Sequence, residues 1–203
     1  RGLGDVYKRQ MEACLGEMES RVGWMPIEKF EYDNSRNRCY EIRANWALYV
    51  DNYLEGFHIP FVHNDLNRTL DYDDYRTEIF DGGVLQIGIA RDGEPSFEIP
   101  EESPDFGLEV AAYYYWIYPG LMLNFYPWGL SVNLVLPLSV DRTRIEYYGF
   151  VWDKKFLGKG AGGDLDKVEE EDQFVVESTH RGVSSVSYER AVSYTHLTLP
   201  TTR

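Results

Sequence analysis

The sequence predicts a single α+β domain built on a mostly antiparallel sheet. Residues 75–152 contain six short runs rich in β-branched and aromatic residues, and tight-turn signals separate these runs. Helix-like periodicity appears before and after the runs, which is the arrangement of an α+β domain. With 203 residues, 43% of them hydrophobic, the chain is long enough to bury one sizeable core.

The predicted elements begin with a strand at 38–44 and a helix at 45–57, with Asn45 as its N-cap and Pro60 ending it. The next strands are predicted at 75–80, 84–90, 110–118, 121–126, 130–136 and 143–152. Gly82-Gly83, Asp92-Gly93 and Pro119-Gly120 supply turns between them. A glycine-rich break at 158–163 leads into a last helix, with Asp164 as N-cap and Asp166 in the first turn.

Charge and composition argue against several classes of protein. The net charge of -14 does not fit a nucleic-acid binder, which needs clustered lysines and arginines. Residues 110–140 carry no charge and are long enough to cross a bilayer, but their prolines and tyrosines favour short buried strands, so we expect no membrane span. Cys14 and Cys39 form no metal or disulfide motif, which predicts a reducing, cytoplasmic location.

Both ends of the chain look foreign to the domain. RGLGDVYKRQ (1–10) and AVSYTHLTLPTTR (191–203) resemble translated adapter sequence, although frayed native tails would also fit these stretches. We therefore predict non-native tails at 1–10 and 191–203. The domain between them, 11–190, is predicted to be truncated at both ends.

The most informative motif is the pair His58 and His63 in the run DNYLEGFHIPFVH. On the first helix, about 100° per residue places Asp51, Glu55 and His58 on one polar face. Such a face often meets only solvent, but the apolar residues between the two histidines favour an enclosed site. By themselves, the histidines fit metal ligands and ordinary histidines near a helix end equally well.

A carboxylate that could complete a metal site lies on the last helix. Its apolar stripe is centred within about 20° of Asp172, which predicts that Asp172 alone among the neighbouring acids faces the core. That stripe consists of Leu165, Val168, Val175, Thr179 and Val183. A buried carboxylate needs a cation, either a metal or an arginine such as Arg43 or Arg144. His58 and His63 would need one oxygen ligand to complete a metal site, so we favour a metal over an arginine as the partner of Asp172.

These segments resemble a known family. NWALYVDNYLEGFHIPFVH (45–63) and EEDQFVVESTHRGVSS (170–185) are similar to the catalytic domain of Rieske-type aromatic-ring-hydroxylating oxygenase alpha subunits, over about 11–190. The resemblance implies a helix-grip fold, in which an antiparallel sheet wraps around a long C-terminal helix. It also implies that His58, His63 and Asp172 are iron ligands and that Glu55 bridges two metal centres. Asn52 matches a pocket position, although its role could be a hydrogen bond to the helix end.

The chemistry implied by the resemblance is hydroxylation of an aromatic or similar small organic substrate by ferrous iron and dioxygen. The electrons come from a two-iron two-sulfur Rieske cluster on a neighbouring alpha subunit of a trimer, supplied by a ferredoxin or reductase. This sequence lacks the cysteine–histidine motifs of such a cluster, so the Rieske domain is expected upstream. Many members have Asp at the position of Glu55, and Glu suggests a branch that includes oxygenases of quaternary ammonium compounds.

Two further hypotheses stay open beside the oxygenase. One is a helix-grip binder of apolar ligands without chemistry, and the other is a zinc hydrolase using the same three ligands. Phe57 and Phe61 flank the histidines and are predicted to line the substrate cavity. Most aromatic residues of the strands are expected to belong to the core.

Overall fold

The computed structural model describes residues 15–188, so the predicted tails at 1–10 and 191–203 lie outside the described part. The helices are α1 (15–22), α2 (Trp46–Glu55), α3 (Ile59–Val62), α4 (Asn64–Thr69) and α5 (Leu165–Val183). The strands are β1 (Glu31–Ile42), β2 (Leu70–Phe80), β3 (Gly83–Ala90), β4 (Val110–Ile117), β5 (Leu121–Tyr126), β6 (Gly129–Ser139) and β7 (Arg142–Val151). Short 3₁₀ helices occur at Ile27–Lys29, Lys154–Phe156 and Gly160–Gly162.

The seven strands form one sheet in the order β1-β7-β6-β5-β4-β3-β2, and every neighbouring pair is antiparallel. Strands β2 to β7 pair in chain order, while β1 joins the far edge beside β7. The segment with α2, α3 and α4 therefore leads from one edge of the sheet to the other. The predicted α+β helix-grip fold is confirmed.

The two faces of the sheet bury different residues, as strand alternation requires. On β4, Tyr113 and Tyr115 pack into a core cluster with Met18 and Val22 of α1. Tyr114 belongs to a different cluster, with Tyr126 and Trp128 among its members. A third cluster joins α2 and α5 to the sheet through buried Val50, Met122, Ile145 and Val176. The face that holds α2 and α5 is the one on which the candidate site forms.

Helix α2 begins as predicted but ends differently. The Asn45 side chain accepts a hydrogen bond from Ala47 N at 3.0 Å, which confirms the N-cap. Gly56, at a φ of 55°, ends the helix, so the prediction that Pro60 ends it is wrong. Glycine adopts this left-handed conformation without steric cost. Pro60 instead lies in the first turn of α3. Backbone N–H groups have no partner within the helix at this position, so proline loses no hydrogen bond there.

Helix α5 also begins as predicted, because Asp164 Oδ1 accepts a hydrogen bond from Lys167 N at 3.2 Å. The prediction that only Asp172 among its acids points inward is wrong. Glu169 also points inward and accepts hydrogen bonds from Tyr49 and Tyr147, whereas Thr179 is exposed. The tyrosine hydroxyls make the inward orientation of a second carboxylate possible, and helical phase alone does not reveal them.

Residues 110–140 contain β4, β5 and all of β6, which confirms the predicted strands. Within residues 15–188, no helix combines the length and apolar character that crossing a membrane would require.

Candidate metal centre

His58, His63 and Asp172 come together at one point between α5 and the segment that follows α2. The Nε2 atoms of the two histidines are 3.0 Å apart. Asp172 Oδ1 lies 3.0 Å from Nε2 of His63 and 3.3 Å from Nε2 of His58. Three potential ligand atoms therefore form a nearly equilateral triangle.

The local backbone explains how two histidines five positions apart can converge. Gly56 turns the chain after α2, and one helical turn follows, in which His63 N donates to Ile59 O at 3.1 Å. His58 stands before this turn and His63 directly after it. Asp172 lies in the middle of α5, and α2 and α5 contact each other. The three side chains thus meet from two regions of the chain.

Each histidine has a carboxylate at its other ring nitrogen. Glu55 Oε1 lies 2.5 Å from His58 Nδ1, and Glu171 Oε2 lies 2.7 Å from His63 Nδ1. An ionised carboxylate can only accept, so Nδ1 must carry the proton in both rings. In the neutral imidazoles, the two Nε2 atoms are then lone-pair donors directed at the same point. This carboxylate–histidine arrangement is the one that metal-ligating histidines commonly adopt.

Electrostatics at the centre favour positive charge. Burial lowers the pKa of His58, but hydrogen bonds with Asp172 and Glu55 outweigh it and raise that pKa to about 9. Burial also lowers the pKa of His63, but the interactions with Asp172 and Glu171 outweigh this effect. The pKa of His63 is therefore raised. The pKa of Asp172 is lowered, because hydrogen bonds from both histidines outweigh burial. A site that stabilises added protons in this way also suits a bound cation.

Asp172 has a third polar neighbour. Asn52 Nδ2 donates to Asp172 Oδ1 at 2.7 Å, and Asn52 is buried on α2. Neither Arg43 nor Arg144 forms an ion pair with Asp172 in the described part of the chain: Arg144 lies 2.7 Å from Glu41, and the charged partners of Asp172 are the two histidines. Asn52 therefore orients the aspartate and adds no charge to it.

A cavity opens beside the three residues and has about 690 Å³ of space between atoms, its mouth included. Besides Asn52, five tyrosines, three other amides and one further carboxylate contribute to its wall. They are Tyr49, Tyr53, Tyr75, Tyr114, Tyr126, Gln86, Asn124, Asn133 and Glu169. A cavity lined by aromatic and aliphatic side chains with convergent polar groups is typical of a small-molecule site.

Part of the polar wall is held by its own hydrogen bonds. Tyr53 donates to Asn124 Oδ1 at 2.7 Å, and Gln86 Nε2 donates to the Tyr53 carbonyl at 2.8 Å. Sequence reasoning did not single out these residues. The alternation of β4 offered a signal, because Tyr114 must face away from its neighbours Tyr113 and Tyr115.

The structure does not bring Phe57 and Phe61 to the cavity wall. Phe57 is 42% exposed and Phe61 78% exposed, and neither belongs to the residues that line the cavity. Both follow the left-handed turn at Gly56, which directs the enclosed positions of this segment to Ile59 and His63 instead. Ile59 is the apolar neighbour of the histidines that does contact the cavity.

The fold and the triad of His58, His63 and Asp172 together define the class of protein. The chain is a helix-grip domain with a candidate mononuclear metal centre. The chain belongs to the ring hydroxylating alpha subunit family, because the model of the family's catalytic domain matches residues 23–197. The match extends into the stretch 191–203, so the proposed boundary of that tail stays a prediction.

Named relatives agree with this assignment. Choline monooxygenase, chloroplastic, of Arabidopsis thaliana is 34% identical over 162 residues, which are 75% of this chain and 36% of the relative. The carnitine monooxygenase oxygenase subunit of Escherichia coli K12 is 29% identical over 150 residues, covering 71% and 39%. The chain thus spans well under half the length of these relatives.

A solved structure shows the same fold. The quaternary ammonium Rieske monooxygenase CntA, in complex with an inhibitor, superposes with a TM-score of 0.69 at 20% identity. The alignment covers 90% of this chain and 47% of that chain.

Proposed function

We propose that this chain is the catalytic domain of a Rieske-type non-haem iron oxygenase and that ferrous iron binds to His58, His63 and Asp172. The observation that carries the proposal is the triangle of two Nε2 atoms and Oδ1, with sides of 3.0, 3.0 and 3.3 Å. A metal about 2.1 Å from each of three mutually perpendicular ligands requires separations of about 3 Å. Two imidazoles and one carboxylate are the donor set of mononuclear iron oxygenases.

When bound, the iron would supply the activation of dioxygen next to an organic substrate. The residues of the chain prepare the site for this. Glu55 and Glu171 keep the protons on Nδ1 of the histidines, which leaves both Nε2 atoms free to ligate. Asn52 fixes the orientation of Asp172 by its hydrogen bond at 2.7 Å. Five tyrosines flank the place where the substrate would be held.

Glu55 is also proposed to connect the iron to an electron donor. Its side chain is 37% exposed and contacts His58 Nδ1, so it reaches from a ligand to the protein surface. We propose that this surface faces the Rieske cluster of a neighbouring alpha subunit in a trimer, with a ferredoxin or reductase supplying the cluster. The Rieske domain would precede the domain at 11–190. The predicted cytoplasmic location is retained as a proposal, and the plant relatives are chloroplastic by name.

We propose hydroxylation of a small organic substrate, and a quaternary ammonium compound is the favoured class. Two observations support this choice over a flat aromatic ring. The relatives named above act on choline and carnitine by name, and five tyrosines line the cavity. Aromatic faces bind quaternary ammonium groups by cation–π attraction.

The metal and the need for oxygen distinguish this function from its competitors. Metal analysis of the chain purified without oxygen should find one ferrous iron per chain. In the intact gene product, substrate oxidation should require both dioxygen and a reductant. A zinc hydrolase would contain zinc and work without either, and a carrier of apolar ligands would bind its ligand without metal. Either result would overturn the proposal.

A further inference from the structure

Glu169 is the one carboxylate in the cavity wall besides Asp172. It lies three residues before Asp172 on α5, so the two carboxylates share a helix face about one turn apart. Glu169 also lines the polar groove on the other side, beside Arg36 and Arg38. Its side chain therefore forms part of the partition between the cavity and this groove.

Two tyrosines hold the Glu169 side chain in place. Tyr49 donates to Oε2 at 2.9 Å, and Tyr147 donates to the same oxygen. The two hydroxyls lie 2.6 Å apart at this shared acceptor, so α2, β7 and α5 meet at Oε2 of Glu169. In the described part of the chain, no hydrogen bond reaches Oε1 of Glu169, so this oxygen is left for a ligand. A carboxylate fixed before binding loses little entropy when a ligand arrives.

Within the described residues, no lysine or arginine forms an ion pair with Glu169, because Arg36 and Arg38 of the groove pair with Asp33 and Asp166. The residues that line the cavity include no lysine or arginine. The other acids near the triad differ in this respect, because Glu55 and Glu171 each contact a histidine. A partly buried carboxylate without a counter-charge costs free energy that a bound cation recovers. Burial, together with the nearby charge of Asp172, raises the pKa of Glu169 to about 8, as expected for such a group.

We propose that Glu169 is a specificity-determining residue that selects substrates carrying a positive charge. The cation is held between the carboxylate and the aromatic faces of the tyrosine wall, in the same cavity that the three candidate ligands line. This inference rests on the proposed function, since it names the residue that selects charged substrates in the same cavity. Asp172 cannot take this role, because its charge is shared with both histidines.

Binding of a cation and of its neutral isostere tests the inference. Choline and 3,3-dimethylbutan-1-ol have nearly the same shape, but only choline is charged. Each is titrated by calorimetry into the iron-loaded full chain, kept without oxygen at pH 9, where Glu169, with a pKa of about 8, is mostly ionised. Wild type should prefer choline, and Glu169→Gln should weaken choline binding by about tenfold or more while leaving the alcohol unchanged. Glu170→Gln, which removes an exposed charge from the next position of α5, should change neither.

Glu169→Asp keeps the charge on a shorter side chain and should retain the preference for choline, which separates charge from shape. Equal affinity of wild type and Glu169→Gln for choline would overturn the inference, as would the absence of any preference for choline in wild type. Iron content measured on the same samples identifies the cause of a failure. If the protein contains iron but shows no charge selection between choline and the alcohol, only the role of Glu169 is contradicted. If the protein contains no iron, the proposed function is contradicted.

Discussion

At the scale of single residues, each candidate ligand has a polar partner of its own. His58 is paired with Glu55, His63 with Glu171, and Asp172 with Asn52. These partners set the tautomer of the rings and the orientation of the carboxylate before any metal binds. The affinity of the site should therefore depend on residues that do not touch the metal.

Glu171→Gln should weaken ferrous iron binding by about 10- to 100-fold. The amide cannot hold the Nδ1 proton of His63 as strongly as the carboxylate does, so Nε2 becomes a poorer ligand. Competition between the protein and a chelator of known affinity measures the change. Glu170→Gln removes the same charge from the neighbouring, exposed position and should bind iron like wild type. Equal affinities for all three proteins would contradict the assigned partner.

Glu169→Gln should change how the stability of the metal-free chain depends on pH. The folded-state pKa of Glu169 is about 8, above the ordinary value of 4.5, so the folded state retains a proton that the unfolded state loses. The contribution of Glu169 to wild-type stability should then fall as the pH rises from about 4.5 to 8. The glutamine variant lacks this loss, so its melting temperature relative to wild type should increase between pH 5 and pH 8. A constant difference across this range would contradict the assigned pKa.

Helical phase predicted Asp172 from the sequence but could not predict its acidic neighbours. Neither Glu169 nor Glu171 is predicted to face the core, yet one contacts tyrosines and the other contacts His63. Long glutamate side chains reach partners well away from the direction of their Cα–Cβ bond. Which partners exist depends on tertiary contacts with α2 and β7, and these cannot be derived from periodicity on α5.

At the scale of secondary structure elements, the site depends on the turn between α2 and α3. Gly56 is the residue in this turn that needs a positive φ, and both candidate histidines follow it within seven residues. A Cβ at Gly56 would meet Tyr75 at 3.6 Å, which is ordinary van der Waals contact. A substitution would therefore act through backbone strain and not through a steric clash.

Gly56→Ala should lower the free energy of unfolding by about 1–2 kcal/mol, the cost of the left-handed conformation for a residue with a Cβ. Gly182→Ala is the matched control, since Gly182 lies within α5 and its added Cβ would meet nothing within 4 Å. That variant should be stabilised by about 0.5–1 kcal/mol. Chemical denaturation of both variants measures the difference. Equal stability of the two would contradict the role of Gly56.

The strands were predictable because alternation and turn residues are local signals. The predicted strand at 121–126 coincides with β5, and most of the others differ by a few residues at their ends. The first strand was predicted seven residues too short at its start, since β1 begins at Glu31. Its early part is irregular, with a register shift between Asp33 and Arg38. Such bulges interrupt the period of two on which strand prediction depends.

At the scale of the whole molecule, the candidate centre joins distant parts of the chain. His63 and Asp172 are 109 residues apart in sequence, and between them lie all the strands except β1. The three ligand positions can therefore converge only when the sheet is complete and α5 is docked on it. Metal binding and folding should be coupled for this reason.

Ferrous iron should stabilise the whole domain. At a free iron concentration 100 times the dissociation constant, linkage predicts about 2.7 kcal/mol of added stability. Thermal unfolding without oxygen, with and without a chelator, measures this as a rise in melting temperature. Asp172→Asn should abolish the rise. A similar rise in that variant would mean that iron stabilises the chain from another site.

The central claim is that His58, His63 and Asp172 together hold one iron. Its most direct test is the iron content of the chain after purification without oxygen, measured for wild type, His58→Ala, His63→Ala, Asp172→Ala and the control Glu170→Gln. We predict one iron per chain in wild type and in the control, and loss of the iron in each of the three alanine variants. Retention of iron in any of these three, or its absence from wild type, would contradict the claim.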